Sequence, residues 1–281
     1  MNIKDRESLT ESFASAGFST IQANNILTEI ARLRAEEASF LAKADANWSR
    51  AFVASECFYV ILSKASKAYS KYVENLPDDE KSPRLSTYTA LSRLQRRAAQ
   101  QYAEIITLVK HGFSDGAFAR WRSMYELSVI SSFILKYGEE VAAKFIEASE
   151  SEDRYDWAMA SGVFPETKRH VTFGDILRLC DIDADVWKEN YTVANQTVHA
   201  SPQGTFGRLG SQDGESPDSQ RSEYGISAPA IQSANTLVLI TSMLFSVYPE
   251  QESVEQTELA VKWLEELTDI YAEIHERLFE K

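Results

Sequence analysis

The segment from Phe118 to Tyr137 constrains the fold most, because it predicts a helix with apolar residues on every side. Such a helix is buried in the middle of a helical protein. Arg122 and Glu126 lie four residues apart within one apolar stripe of this helix. Because charged side chains are almost never buried unless they are paired, we interpret these two residues either as a structural ion pair or as part of a functional site.

The remainder of the chain also predicts helices. Only 11 Gly and 7 Pro occur in 281 residues, and no segment alternates between apolar and polar residues as a strand would. We predict an all-α, multi-helix bundle with long helices. An N-terminal helical extension would span residues 1–80, and a helical core domain would span residues 81–281. A long Gly/Ser-rich loop is predicted at 201–227, and loops of this length are usually functional or disordered.

The acidic composition limits which partners the protein can bind. A formal net charge of −13 argues against broad binding to nucleic acid or to an acidic membrane surface, but it leaves room for a small basic pocket. The densest basic cluster contains Arg93, Arg96 and Arg97 on one predicted helix. A solvated helix face is the favoured interpretation of this cluster, and a nucleic-acid contact is the alternative.

Several features predict a cytoplasmic protein without a membrane partner. Cys57 and Cys180 are isolated in apolar helical patterns, which is typical of buried thiols in a reducing compartment. The first residues contain no apolar core of a signal peptide. The most apolar run, residues 237–248, is too short to span a bilayer.

A second polar pair, Asn195 and His199, lies in the segment TVANQTVHAS. The two residues are four apart and would share a helix face. Histidine is suited to proton transfer near neutral pH, and this one precedes the long loop, where functional residues concentrate. A structural histidine is the alternative. No Cys or His cluster has metal-ligand spacing, and the loop glycines lack a phosphate-binding pattern. We therefore predict neither a metal nor a cofactor.

The segments HGFSDGAFARWRSMYE and ANQTVHAS resemble a bacterial family catalogued as a domain of unknown function (five-six-seven-seven). The resemblance covers about residues 85–248. It implies an all-α fold and a site shared by Arg122, Glu126 and His199. The family carries no settled activity.

The chain is more distantly similar to the HEPN (higher eukaryotes and prokaryotes nucleotide-binding) superfamily. Many of its members are metal-independent endoribonucleases in toxin and anti-phage systems. Their motif is an arginine, often followed by a polar residue, and then a histidine after four to six intervening residues. Asn195 and His199 match the polar residue and the histidine, whereas Ala194 occupies the arginine position. The nuclease hypothesis therefore requires Arg122 to replace the missing arginine from another helix.

The HEPN resemblance implies a role for each of these residues. His199 would act as general acid or base, and Arg122 would stabilise charge on the phosphate. Glu126 would orient Arg122 or tune His199, and Asn195 would position the RNA or nucleotide substrate. A homo-dimer would bring two such sites together.

Three functions remain open from the sequence. A nuclease of the toxin or defence type predicts that Arg122, Glu126 and His199 meet in a locally basic pocket. A non-enzymatic sensor or adaptor, which binds a small anionic ligand or a partner protein, predicts the same pocket without reactive geometry at His199. An interaction scaffold predicts that the two polar pairs never meet.

Overall fold

The structure, a computed structural model, describes residues 3–199, 202–207 and 221–280. Every regular element in these ranges is helical, which confirms the predicted all-α bundle with long helices. The chain divides into two compact units, Met1–Asn47 and Trp48–Lys281. The domain boundary expected at residue 80 stays a prediction.

The first unit contains helix α1, Ile3–Ser15, and the first part of helix α2, Thr20–Glu74. Ser19 caps α2, because its hydroxyl accepts the backbone N–H of Gln22 at 3.3 Å. Asparagine often caps the start of a helix, but α2 continues through Asn47. Asparagine inside a helix costs only about 0.7 kcal/mol or less relative to alanine, which is too little to end a helix with apolar residues on both sides.

The second unit contains the end of α2 and the remaining helices. Two 3₁₀ turns, Ser82–Arg84 and Ala148–Glu150, lie between them. The α-helices are, in chain order, α3 (Asp78–Lys81), α4 (Leu85–Lys110), α5 (Ser114–Tyr137), α6 (Glu139–Glu147), α7 (Asp156–Ala160), α8 (Phe173–Leu179), α9 (Ala184–Val198), α10 (Pro202–Phe206), α11 (Ser227–Phe245) and α12 (Gln251–Phe279).

The long loop predicted at 201–227 lies only partly within the described residues. Residues 202–206 form the short helix α10, which the sequence did not predict. Residues 208–220 lie outside the described residues. The beginning of α11 at Ser227 agrees with the predicted end of the loop.

Helix α5 is the central buried helix predicted from its composition. It packs against α4 and α11, and also against α6, α8 and α9. Trp121 on α5 is fully buried, and its indole N–H lies 3.1 Å from the carbonyl oxygen of Gln232 and 3.0 Å from the hydroxyl of Thr236. These contacts fix the axial position of α5 against α11.

Helix α5 ends at Gly138, whose φ of 81° and ψ of −151° are unfavourable for other residues. The chain then turns into α6. At the start of α6, the carboxylate of Glu139 accepts the backbone N–H groups of Ser86 and Thr87, the latter at 2.9 Å. Helix α4 is therefore capped at its N-terminus by a residue that follows it by about fifty positions.

Both cysteines are free thiols. Cys180 is buried as predicted, but Cys57 is exposed, so the prediction of two buried thiols is wrong for Cys57. Among the described residues, Ser227–Phe245 is the one helix long and apolar enough to cross a bilayer by length and composition. Of its most apolar window, 67% is buried inside the fold, and a core helix passes the same test.

Candidate functional site

The ion pair between Arg122 and Glu126 is present on α5, with 2.9 Å between Nη1 and Oε1. Only 5% of the Glu126 side chain is exposed, and 23% of the Arg122 side chain. The i,i+4 spacing allows the contact. This ion pair differs from an ordinary surface pair because it is largely buried. A buried carboxylate is tolerated only when its oxygens are paired.

A second arginine, Arg154, pairs with the other carboxylate oxygen of Glu126. Arg154 lies just before α7, and 60% of its side chain is exposed. The carboxylate of Glu126 therefore lies between two guanidinium groups, which leaves the three residues with one excess positive charge. Arg154 was not among the predicted site residues, because no local sequence pattern connects it to α5.

Two side chains of helix α9 contact the guanidinium of Arg122. The Nε–H group of Arg122 donates to Oδ1 of Asn195, and an Nη2–H group donates to the hydroxyl of Tyr191 at 3.2 Å. The guanidinium also lies over the ring of Tyr191, 5.3 Å from its centroid. The two polar pairs predicted from the sequence therefore do meet, through Arg122 and Asn195.

Aromatic rings cover one side of this polar cluster. Tyr125 and Tyr191 have ring centroids 5.1 Å apart, and Phe173 lies 5.7 Å from Tyr191. Burial raises the pKa of the Tyr191 hydroxyl above its ordinary value, so this group stays neutral near pH 7. Because apolar surroundings lower the effective dielectric constant, the attraction between the arginines and Glu126 is stronger here than at an open surface.

Tyr155 lies beside Arg154, whose guanidinium is 5.3 Å from the centroid of its ring. The hydroxyl of Tyr155 is buried and has no hydrogen-bond partner among the described residues. Burial raises the pKa of this hydroxyl. An unpaired buried hydroxyl is costly, and this one is a free hydrogen-bonding group close to the arginines.

His199 does not join the cluster. Helix α9 ends at Val198, and the backbone of His199 is extended, with ψ of 142°. Its backbone N–H still donates to the carbonyl oxygen of Asn195 at 3.0 Å, and the extended ψ directs the following chain away from the helix. The side chain of His199 is exposed and makes no hydrogen bond, ion pair or ring contact within the described ranges. The structure brings together three of the four predicted site residues, and the catalytic role assigned to His199 stays a prediction.

A cavity of about 340 Å³ adjoins Arg154. Arg93 from α4 and Arg154 line it, together with Asp153 and Trp157. Arg93 is exposed and makes no ion pair within the part of the chain that the structure describes. In the same part of the chain, no group of three His, Cys, Asp or Glu residues is arranged to hold a metal ion. The chemical character of this site is thus an arginine-lined recess beside a buried carboxylate.

Residues 88–158 match the sequence profile of a family of unknown function (DUF5677). The match contains Arg122, Glu126, Arg154 and Tyr155, but it ends before Asn195 and His199. It supports the first part of the family resemblance noted from the sequence. No curated protein and no solved structure matches the chain.

Proposed function

We propose that the protein is a non-enzymatic helical sensor or adaptor that binds a small anionic ligand in the recess between Arg93 and Arg154. The observation that carries the proposal is the sharing of one buried carboxylate, Glu126, by two arginines. Arg154 uses one of its N–H groups on Glu126 and keeps the others available at the cavity. A guanidinium of this kind is suited to bind a carboxylate or a phosphate through two parallel hydrogen bonds.

The contacts of Glu126 suggest how binding could be sensed. An anion at Arg154 competes with Glu126 for the same guanidinium. When the Arg154–Glu126 ion pair weakens, the ion pair between Glu126 and Arg122 becomes stronger. Arg122 in turn contacts Asn195 and Tyr191 on α9. Helix α9 and the segment after it would report the ligand to a partner protein or to a second copy in a cytoplasmic homo-dimer.

The test is a titration with simple anions in the absence of metal. We expect citrate or pyrophosphate to raise the melting temperature of the wild-type protein, and Arg93→Gln and Arg154→Gln to remove this effect. Arg169→Gln is the matched control, because Arg169 is an exposed arginine away from the cavity. Equal stabilisation of all three variants, or none of the wild type, would contradict the proposal.

A HEPN-like, metal-independent nuclease acting on RNA or nucleotides in toxin or anti-phage defence is the second candidate. One observation favours it: Arg122 contacts Asn195 directly, as required if Arg122 replaces the arginine missing from position 194. In this mechanism, substrate binding brings the exposed His199 to the ribose 2′-hydroxyl, while Arg122 neutralises the phosphate.

Cleavage of total RNA and tRNA in the presence of EDTA separates the two functions. The nuclease hypothesis predicts that the wild-type protein cleaves RNA and that His199→Ala and Arg122→Ala each abolish cleavage. Circular dichroism checks that both variants are folded. His170→Ala is the control, because His170 is also exposed and lies outside the site. Intact RNA after prolonged incubation with the wild-type protein would exclude the nuclease function on these substrates.

A further inference from the structure

A groove of about 700 Å³ lies between the end of α2 and the middle of α4, away from the arginine cluster of α5. Its volume is within the range of sites for small ligands. None of Arg122, Glu126 or Arg154 lines it. Side chains of α2 and α4 line it, together with Leu244 of α11.

The charge in this groove is positive, although the chain as a whole carries −13. Lys67 and Lys71 line it from α2 and Arg96 lines it from α4, against one acidic side chain, Glu74. These three cationic side chains make no ion pair within the described residues. Elsewhere on the same two helices, Lys110 is paired with Glu56. Unpaired cations that converge on one groove favour an anionic ligand.

The floor of the groove is polar and partly unsatisfied. Gln95 and Ser92 line it while remaining 97% and 92% buried, since their exposed fractions are 3% and 8%. The hydroxyl of Ser66 is buried and has no hydrogen-bond partner in the described part of the chain. Because buried polar groups are nearly always hydrogen-bonded, the Ser66 hydroxyl indicates that a polar ligand or water belongs at this position.

The two helices arrange these groups in order along the groove. The hydroxyl of Tyr102 donates to the carbonyl oxygen of Ser55, and the rings of Tyr69 and Tyr88 are in contact, so α2 and α4 run antiparallel. Tyr59 therefore lies at one end, near Ala99 and Ala103. The two lysines lie further along α2, and Lys67 is about 12 Å from Tyr59 at 1.5 Å per residue.

The end near Tyr59 is suited to a flat ring. Tyr59 is 36% exposed, and its ring is parallel to that of the buried Tyr102 within 5°. Ala99 and Ala103 leave space beside it, because their side chains end at Cβ. An aromatic ring with a supported back and an open side is a stacking surface.

We propose that this groove binds a ring-bearing organic phosphate, with its ring at Tyr59 and its phosphates between Lys67, Lys71 and Arg96. The side chain of Ser70 completes the hydrogen bonds to phosphate oxygens, and the Ser66 hydroxyl joins them by rotation about its Cα–Cβ bond. The site is separate from the recess at Arg154, so the protein would have one site for each of two anions.

The proposal is tested by isothermal titration of the full-length protein with ATP, tripolyphosphate and adenosine, each with EDTA. We expect ATP to bind more tightly than tripolyphosphate, and adenosine to bind weakest. The double variant Lys67→Gln/Lys71→Gln should weaken ATP binding about tenfold or more, because charge-assisted hydrogen bonds to phosphate are lost. Tyr59→Ala should reduce ATP affinity to that of tripolyphosphate.

Two matched controls are available on the same helices. Lys64→Gln and Arg97→Gln remove exposed charges that do not line the groove, and both should leave ATP binding unchanged. No binding of ATP to the wild type, or equal weakening by control and groove variants, would overturn the proposal. Equal affinity for ATP and tripolyphosphate would overturn the assignment of the ring to Tyr59. Arg154→Gln should retain ATP binding, which separates this site from the function proposed above.

Discussion

Removal of the charge of Glu126 is the most informative perturbation of the arginine cluster. Glu126→Gln keeps the shape of the side chain but leaves Arg122 and Arg154 without a counter-charge. Truncating one partner of a fully buried ion pair costs about 3–5 kcal/mol of unfolding free energy. Here the cost is smaller, because Arg154 is 60% exposed and Arg122 retains Asn195 and Tyr191. We expect a loss of about 2–3 kcal/mol.

Urea unfolding followed by circular dichroism measures this loss, and a lower melting temperature accompanies it. At about 2–4 °C per kcal/mol for a chain of this size, the melting temperature should fall by roughly 4–12 °C. Glu104→Gln is the control. Glu104 pairs with Arg120, but 38% of its side chain is exposed, so its loss should cost about 1 kcal/mol or less.

Two results would refute the reasoning. The first is a Glu126→Gln variant as stable as the Glu104→Gln control, which would mean that the low exposure of Glu126 does not isolate it from water.

The second concerns the double variant Arg122→Met/Glu126→Leu. Replacement of a buried ion pair by apolar residues is often neutral or stabilising, so this variant should be more stable than Glu126→Gln. A double variant less stable than Glu126→Gln would indicate that shape, rather than charge, dominates the site.

Two further perturbations test the packing and the backbone of the helical bundle. Burial raises the pKa of the Tyr102 and Tyr271 hydroxyls, so their contribution to stability is complete below the unfolded pKa of about 10 and is lost as pH rises toward the folded values. Urea midpoints between pH 8 and 11 should therefore fall, and an unchanged midpoint would contradict the burial of both rings. Gly138→Ala should cost about 1–3 kcal/mol, because alanine is strained at φ 81°, ψ −151°. Gly116→Ala on the same helix should instead stabilise by about 0.5–1 kcal/mol, since a Cβ there meets no other atom within 4 Å; equal effects at the two positions would argue against backbone strain.

The sequence predicted those features that depend on neighbours within one helix. The all-round apolar composition of Phe118–Tyr137 identified the central helix, and the i,i+4 spacing identified the pair of Arg122 and Glu126. A capping box is a local feature of the same kind, and the hydroxyl of Thr172 accepts the backbone N–H of Asp175 in one. Each of these features is fixed by sequence separations of four residues or fewer.

The features that were missed depend on contacts between distant segments or on where a helix ends. Arg154 reaches Glu126 across 28 positions, and no periodic pattern records such a contact. His199 was expected to meet Arg122 and Glu126, but its side chain makes no contact with them within the described residues. A helix end is set by small differences in backbone energy, so the spacing did not predict that α9 ends at Val198 or that the backbone of His199 is extended.

The capping of α4 by Glu139 has a consequence for how the fold opens. The first amide groups of a helix usually exchange with solvent through local fraying at the terminus. The amides of Ser86 and Thr87 are instead held by a carboxylate from α6. Their hydrogen exchange should be slower than at a frayed helix end and should accelerate when α6 moves away from α4. The hydrogen-exchange rates of these two amides therefore report the separation of α6 from α4, and they can be measured without any introduced label.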